Sequence, residues 1–71
     1  MEQRKHWWNS RWGTFARHDI FLRVDGDRWH VEDRWGGADG SSKWSEHYGE
    51  DAALDRVRAL MTGDGWREIG T

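Results

Sequence analysis

Seventy-one residues with a net charge of −2 hold one small domain at most, and such a domain buries only about 60% of the surface that its unfolded chain exposes. Cysteine is absent, which excludes disulfide staples and thiolate metal sites, and no apolar run is long enough for a secretory core or a membrane span. What remains to stabilise the fold is tryptophan, with seven copies, each able to bury roughly 150–250 Å², an upper figure of about 4–6 kcal/mol at about 25 cal/mol per Å².

The chain starts at Met1 with a polar stretch, so the expected location is cytoplasmic. Charge is uneven along it. Residues 1–18 hold Arg4, Lys5, Arg11 and Arg17 against Glu2 alone, while the remainder is acidic. Residues 1–13 therefore read as a basic, tryptophan-rich N-terminal arm, and residues 14–71 as the folded body. Arg11–Arg17 is a weak strand candidate, interrupted by Gly13.

From Asp19 the residues alternate: Ile20, Leu22 and Val24 point one way, Phe21 and Arg23 the other. After Asp25-Gly26, the residues Trp29, Val31, Asp33 and Trp35 alternate against His30, Glu32 and Arg34. An Asp-Gly pair between two alternating runs predicts a hairpin. A two-residue turn at 25–26 pairs Leu22 with Trp29, and a four-residue loop over 25–28 pairs Leu22 with Val31. Both registers put the same apolar set on one face. Glycines at 36, 37 and 40 predict a loop, and Ser42–Tyr48 a further strand with Trp44, Glu46 and Tyr48 on one side.

Gly49-Glu50-Asp51 opens a predicted helix, with acidic residues at the positive end of its dipole. Leu54, Val57, Leu60 and Met61 form its stripe with Ala53 beside it, and Gly63 stands where a C′ glycine would. Gly65–Ile69 reads as a short closing strand. The fold class is α+β: a small antiparallel sheet of three to five strands, in the order β-β-β-α-β, with one amphipathic helix packed on one face. Trp29 belongs to the core face, with Trp44 and Trp66 beside it, and the opposite face, carrying Phe21, Arg23, His30, Glu32 and Arg34, stays wet.

Catalytic signatures are absent: no nucleophile elbow, no phosphate-cradling Gly-Lys-Ser/Thr loop and no His-Glu-x-x-His. The four histidines (His6, His18, His30, His47) read as ordinary solvated side chains, because His18 and His30 differ in strand parity and His6 lies in the arm. The adjacent carboxylates Glu32-Asp33 and Glu50-Asp51 read as solvated surface. The expectation is a non-enzymatic module without cofactor or metal.

Trp7, Trp8 and Trp12 are interleaved with Arg4, Lys5 and Arg11, a composition that suits base stacking with phosphate attraction. It equally suits a protein–protein or self-association patch, or tryptophans that cap the sheet edge.

The run Arg34-Trp35-Gly36, after an alternating hairpin and before glycines, resembles the WGR domain. The family pattern of aliphatic strand, turn, strand ending in Arg-Trp-Gly-Arg, glycines, aromatic strand, alanine/leucine helix and closing Gly-aromatic-x-Glu is similar to residues 19–69 here. That resemblance implies contact with the nucleic-acid backbone through the motif tryptophan, Trp35, with Arg34 beside it. The position of the motif arginine is Gly37, and Asp39 and Ser42 stand where glycines are expected. The binding residues expected from sequence are thus Arg4, Lys5, Trp7, Trp8, Arg11, Trp12, Arg34 and Trp35, with nucleic acid or a protein as partner and no membrane contact.

Overall fold

The hairpin forms as β2 (His18–Asp25) and β3 (Arg28–Trp35), pairing Val24 with Trp29 and Leu22 with Val31. Of the two registers open from sequence, this is the wider loop, closed by an Asp25–Arg28 pair around Gly26 and Asp27. Gly26 takes φ 64°, a conformation a Cβ would penalise. The computed structural model describes residues 2–9, 17–36 and 40–69.

On one side β3 pairs with β4 (Ser41–His47), and on the other β2 pairs with β1 (Glu2–Asn9). After α1 (Glu50–Leu60), the short β5 (Arg67–Ile69) adds beside β1, giving an antiparallel sheet ordered β4-β3-β2-β1-β5. The expected order lacked the first strand. Glu2–Asn9, expected as part of an arm, is hydrogen-bonded on both edges, to β2 and to β5. The reason lies in its own alternation, with Lys5, Trp7 and Asn9 on one face and His6 and Trp8 on the other. A register shift between Gln3 and Lys5 leaves Arg4 as a bulge. The candidate strand at Arg11–Arg17 falls, apart from Arg17, outside the described residues.

Helix α1 is rich in Ala, Leu and Arg, all good helix formers. It begins after Gly49 with Glu50 and Asp51 in the first turn and carries Arg58 in the last. Its C-cap is Met61, whose N–H bonds Val57 O, so Gly63 (φ 77°) sits one position beyond the place expected for it. The helix lays Ala53 and Val57 onto Trp7, Ile20, Leu22 and Val31, with Trp29, Leu54, Leu60, Met61 and Trp66 packed around them.

Two expectations are corrected here. Trp44 is not in the core. Its register opposite Glu32 sends it to the outer face, 54% exposed, while Ser45 faces inward opposite Val31. Trp7, by contrast, is a core residue at 9% exposure. Among the described residues no helix is long and apolar enough to cross a membrane.

Candidate binding surfaces

The outer face of the sheet, expected to be wet, carries an ordered layer of rings, guanidinium groups and carboxylates. Phe21 is buried in it without any described helix above, because its neighbours lie over it. The His6 ring stacks at 4.1 Å and 23°, and the Arg23 and Arg34 guanidinium carbons stand 4.6 and 4.9 Å from the Phe21 centroid. Arg23 also lies 5.2 Å from the Trp44 ring, between the two aromatics. Arg17 stacks on Trp8 at 4.6 Å. A guanidinium plane is weakly hydrated and sits readily on an aromatic face.

Two carboxylates lock this layer. Glu32, only 1% exposed, accepts from Arg23 Nη1 at 2.7 Å on one oxygen and from Arg34 Nε at 2.9 Å on the other. Burial by itself would raise its pKa, but the hydrogen bonds and charges of the two arginines more than offset that, and the carboxyl is held below its usual value of 4.5. Asp19 is clasped by Arg17 through two bonds of 2.7 and 2.9 Å. It also accepts from His6 Nε2 at 2.7 Å, which places the imidazole proton on that nitrogen. Neither Glu32 nor His6 is therefore the solvated side chain that its sequence context suggested.

Among the described residues, Arg23, Arg28, Arg34 and Arg67 lie on the outer face by strand register and Arg17 by its contacts with Asp19 and Trp8, against Asp19, Asp25, Glu32 and Glu46, a small positive excess. On the opposite side of the sheet, α1 contributes Glu50, Asp51 and Asp55 against Arg56 and Arg58. The two layers of the fold thus differ in the sign of their charge.

The expected site residues are divided by the sheet. Trp8 and Arg34 lie on the outer face. Lys5, Trp7 and Trp35 lie on the helix side, Lys5 paired with Glu68 at 3.5 Å and Trp7 in the core. Arg4 pairs with Glu2 at 3.1 Å and lies 5.8 Å from the Trp29 ring. Arg11 and Trp12 are outside the described residues. A single patch of Trp7, Trp8 and Trp12 does not form among the described residues, because Trp7 and Trp8 point to opposite faces of β1.

A second feature lies on the helix side, beyond the C-terminus of α1. A cleft of about 340 Å³ is lined by Asn9, His18, Trp35, Gly63, Asp64 and Trp66, among others. His18 is buried there, its Nε2 against Asp33 Oδ1. Its ring lies flat on Trp35 and edge-on to Trp66. Sequence reasoning missed His18, Trp66, Arg17, Arg23 and Trp44. Strand parity of β2 and β4 could have flagged Arg23 and Trp44, whereas the cleft is assembled from four distant segments and has no local signature. Among the described residues no three His, Asp or Glu side chains gather as a metal site. Comparison of the chain with family models, with curated proteins and with solved structures gave no match in any of the three.

Proposed function

We propose that this chain is a non-enzymatic binding module that takes single-stranded nucleic acid across the outer face of its sheet. The observation that carries this reading is the guanidinium–aromatic layer ending in Trp44, which stands 54% exposed with the Arg23 guanidinium 5.2 Å from its ring. An exposed indole offers a base a stacking surface irrespective of sequence, and neighbouring arginines offer phosphate a counter-charge. Because Glu32 and Asp19 hold the guanidinium groups in place, little side-chain entropy is lost on contact. The resemblance of residues 19–69 to the WGR pattern motivates a binding module of this general kind; its motif tryptophan, Trp35, lies on the helix side, so the contact proposed here is a different one, on the outer face.

The test is anisotropy titration of labelled oligothymidylate and of a duplex of the same length. Binding of the single strand at low salt is expected, with log K falling about 0.7 per neutralised phosphate as log salt rises. Trp44→Ala should weaken it by about 1–3 kcal/mol, and Arg67→Gln should weaken it and reduce the salt slope by about one contact. Absence of binding at tens of micromolar protein, where non-specific association falls at physiological salt (about 10⁻⁴–10⁻⁶ M), overturns the reading.

A further inference from the structure

We propose that β4 is a dimerisation edge, on which a second copy of the chain pairs its own β4 antiparallel across a two-fold axis at Trp44. In the order β4-β3-β2-β1-β5, β4 has a neighbour on one side only among the described residues. It follows β3 for seven residues without a register shift, and the chain holds no proline. Bulges, prolines and short length are the usual protections of a free edge, and β4 has none of them. Its lysine, Lys43, stands opposite Asp33 on the helix side, beside a counter-charge. Trp44 is 54% exposed in this strand, and Tyr48, directly after it, 78%.

The phase of the ladder shows which backbone groups this edge offers. Gly36 N–H donates to Arg17 O at 2.8 Å, so Arg17 and Gly36 form a hydrogen-bonded pair of the β2–β3 register. Such pairs alternate along an antiparallel ladder. Trp29, Val31, Asp33 and Trp35 therefore turn their N–H and C=O groups to β4, where they meet His47, Ser45, Lys43 and Ser41. Ser42, Trp44 and Glu46 turn theirs outward. A second β4 centred on Trp44 matches all of these groups at once. Trp44 faces its own copy and Ser42 faces Glu46, each pair exchanging two hydrogen bonds. Shifting the axis to Ser45 would leave Ser42 without a partner in β4. The side chains fit the same register, with indole beside indole and a hydroxyl donor opposite a carboxylate.

The rest of the same chain cannot supply the missing strand. Residues 10–16 connect Asn9 to Arg17, and a loop of that length reaches about 14 Å out and back. The free side of Trp44–His47 lies about 20 Å or more from those anchors by strand spacing and rise. Residues 37–39 return to Gly40 at the Ser41 end, and residues 70–71 follow β5 at the opposite edge. Self-pairing also closes on itself. It consumes both β4 edges, and β5 at the other edge is only three residues long, so a dimer forms and not a fibre. A strand-to-strand contact buries less than about 1,200 Å², which makes the dimer a weak one. Both indoles still project from the outer face, so the pairing does not depend on nucleic-acid binding.

Sedimentation equilibrium of the full chain, with no nucleic acid present, should show monomer passing to dimer between about 10 µM and 1 mM. Glu46→Pro tests the edge. The Glu46 N–H points outward, so proline removes no bond to β3, but by symmetry it removes two from the dimer and should weaken association about tenfold or more. A dispersed ¹H–¹⁵N spectrum verifies that this variant keeps its fold; if it does not, cysteine chains decide. The protein has no cysteine of its own. Ser42→Cys and Glu46→Cys chains mixed in equal amounts should oxidise mainly to the mixed disulfide, because these positions face each other at about 5.5 Å between Cα atoms, within the span of about 4.4–6.8 Å for a disulfide. Either variant alone stands about 14 Å from its own copy and should cross-link little. A monomer at about 1 mM, a folded Glu46→Pro chain that associates as tightly as the parent, or a statistical mixture of the three disulfides overturns the proposal.

Discussion

His18 lies flat on Trp35, its cross-strand partner, with ring centroids 3.6 Å apart, while its Nε2 is held by Asp33. One imidazole thus ties together the start of β2, the end of β3 and the wall of the cleft. A double-mutant cycle with His18→Ala and Trp35→Ala should give a coupling of about 0.5–1.5 kcal/mol, the usual value of an aromatic pair. A coupling near zero in denaturant unfolding would show that the stack contributes packing area alone.

Glu32 makes stability depend on acid. Its folded pKa lies below the usual 4.5, since the bonds and charges of Arg23 and Arg34 outweigh the cost of burial. Its ionised form is therefore favoured by folding, and the stability it contributes is fully present above pH 4.5 and lost as pH falls through the lower folded value. Unfolding free energy should drop on acidification within that window. Glu32→Gln should remove this part of the pH dependence and cost about 1.5–3 kcal/mol at pH 7, the range for hydrogen bonds to charged groups. Parallel urea titrations at neutral and acid pH measure both effects.

Two tryptophans separated by the sheet should respond in opposite ways. Trp7→Ala opens a cavity in the core and should cost about 3–5 kcal/mol, enough to unfold a domain of this size. Trp44→Ala removes a half-exposed ring and should stay within about 1 kcal/mol. Thermal melts of the two variants check this directly, and comparable losses would contradict the face assignment.

Gly40 admits no side chain. A Cβ there would lie 1.5 Å from the Trp35 carbonyl oxygen and 2.8 Å from Gly36 Cα, both backbone atoms that cannot swing aside. Gly40→Ala should therefore displace the β3–β4 connection and cost more than Gly26→Ala, where only the positive φ is penalised, by about 1–2 kcal/mol. Amide exchange in Ser41–His47 would report the displacement.

Much of the fold was legible from short-range patterns. Alternation from Ile20 to Trp35 fixes the faces of β2 and β3, and the stripe Leu54, Val57, Leu60 marks α1, because both periods are local. The sequence misled where charge was weighed above alternation. Arg4 and Lys5 suggested a basic arm outside the folded body, although Lys5, Trp7 and Asn9 carry a strand's own period. Their charges are met by Glu2 and Glu68, and Glu68 lies more than sixty residues along the chain. The outer layer was misjudged for a related reason. Phe21 with Arg23, and Glu32 with Arg34, look like solvated mixtures until Trp44 and His6 arrive from two other strands to enclose them.

The position of β1 between β2 and β5 has a consequence for how the molecule is made. A nascent chain can zip β1 onto β2 and β3 early, but the far side of β1 stays an open template until Arg67–Ile69 emerges. The sheet is thus sealed by contact between its first-made and last-made strands, a loop closure spanning some sixty residues whose entropic cost falls late. The same contact draws the ends of the fold together, so a circular permutant reopened at Gly26-Asp27 would exchange that late closure for a short tether.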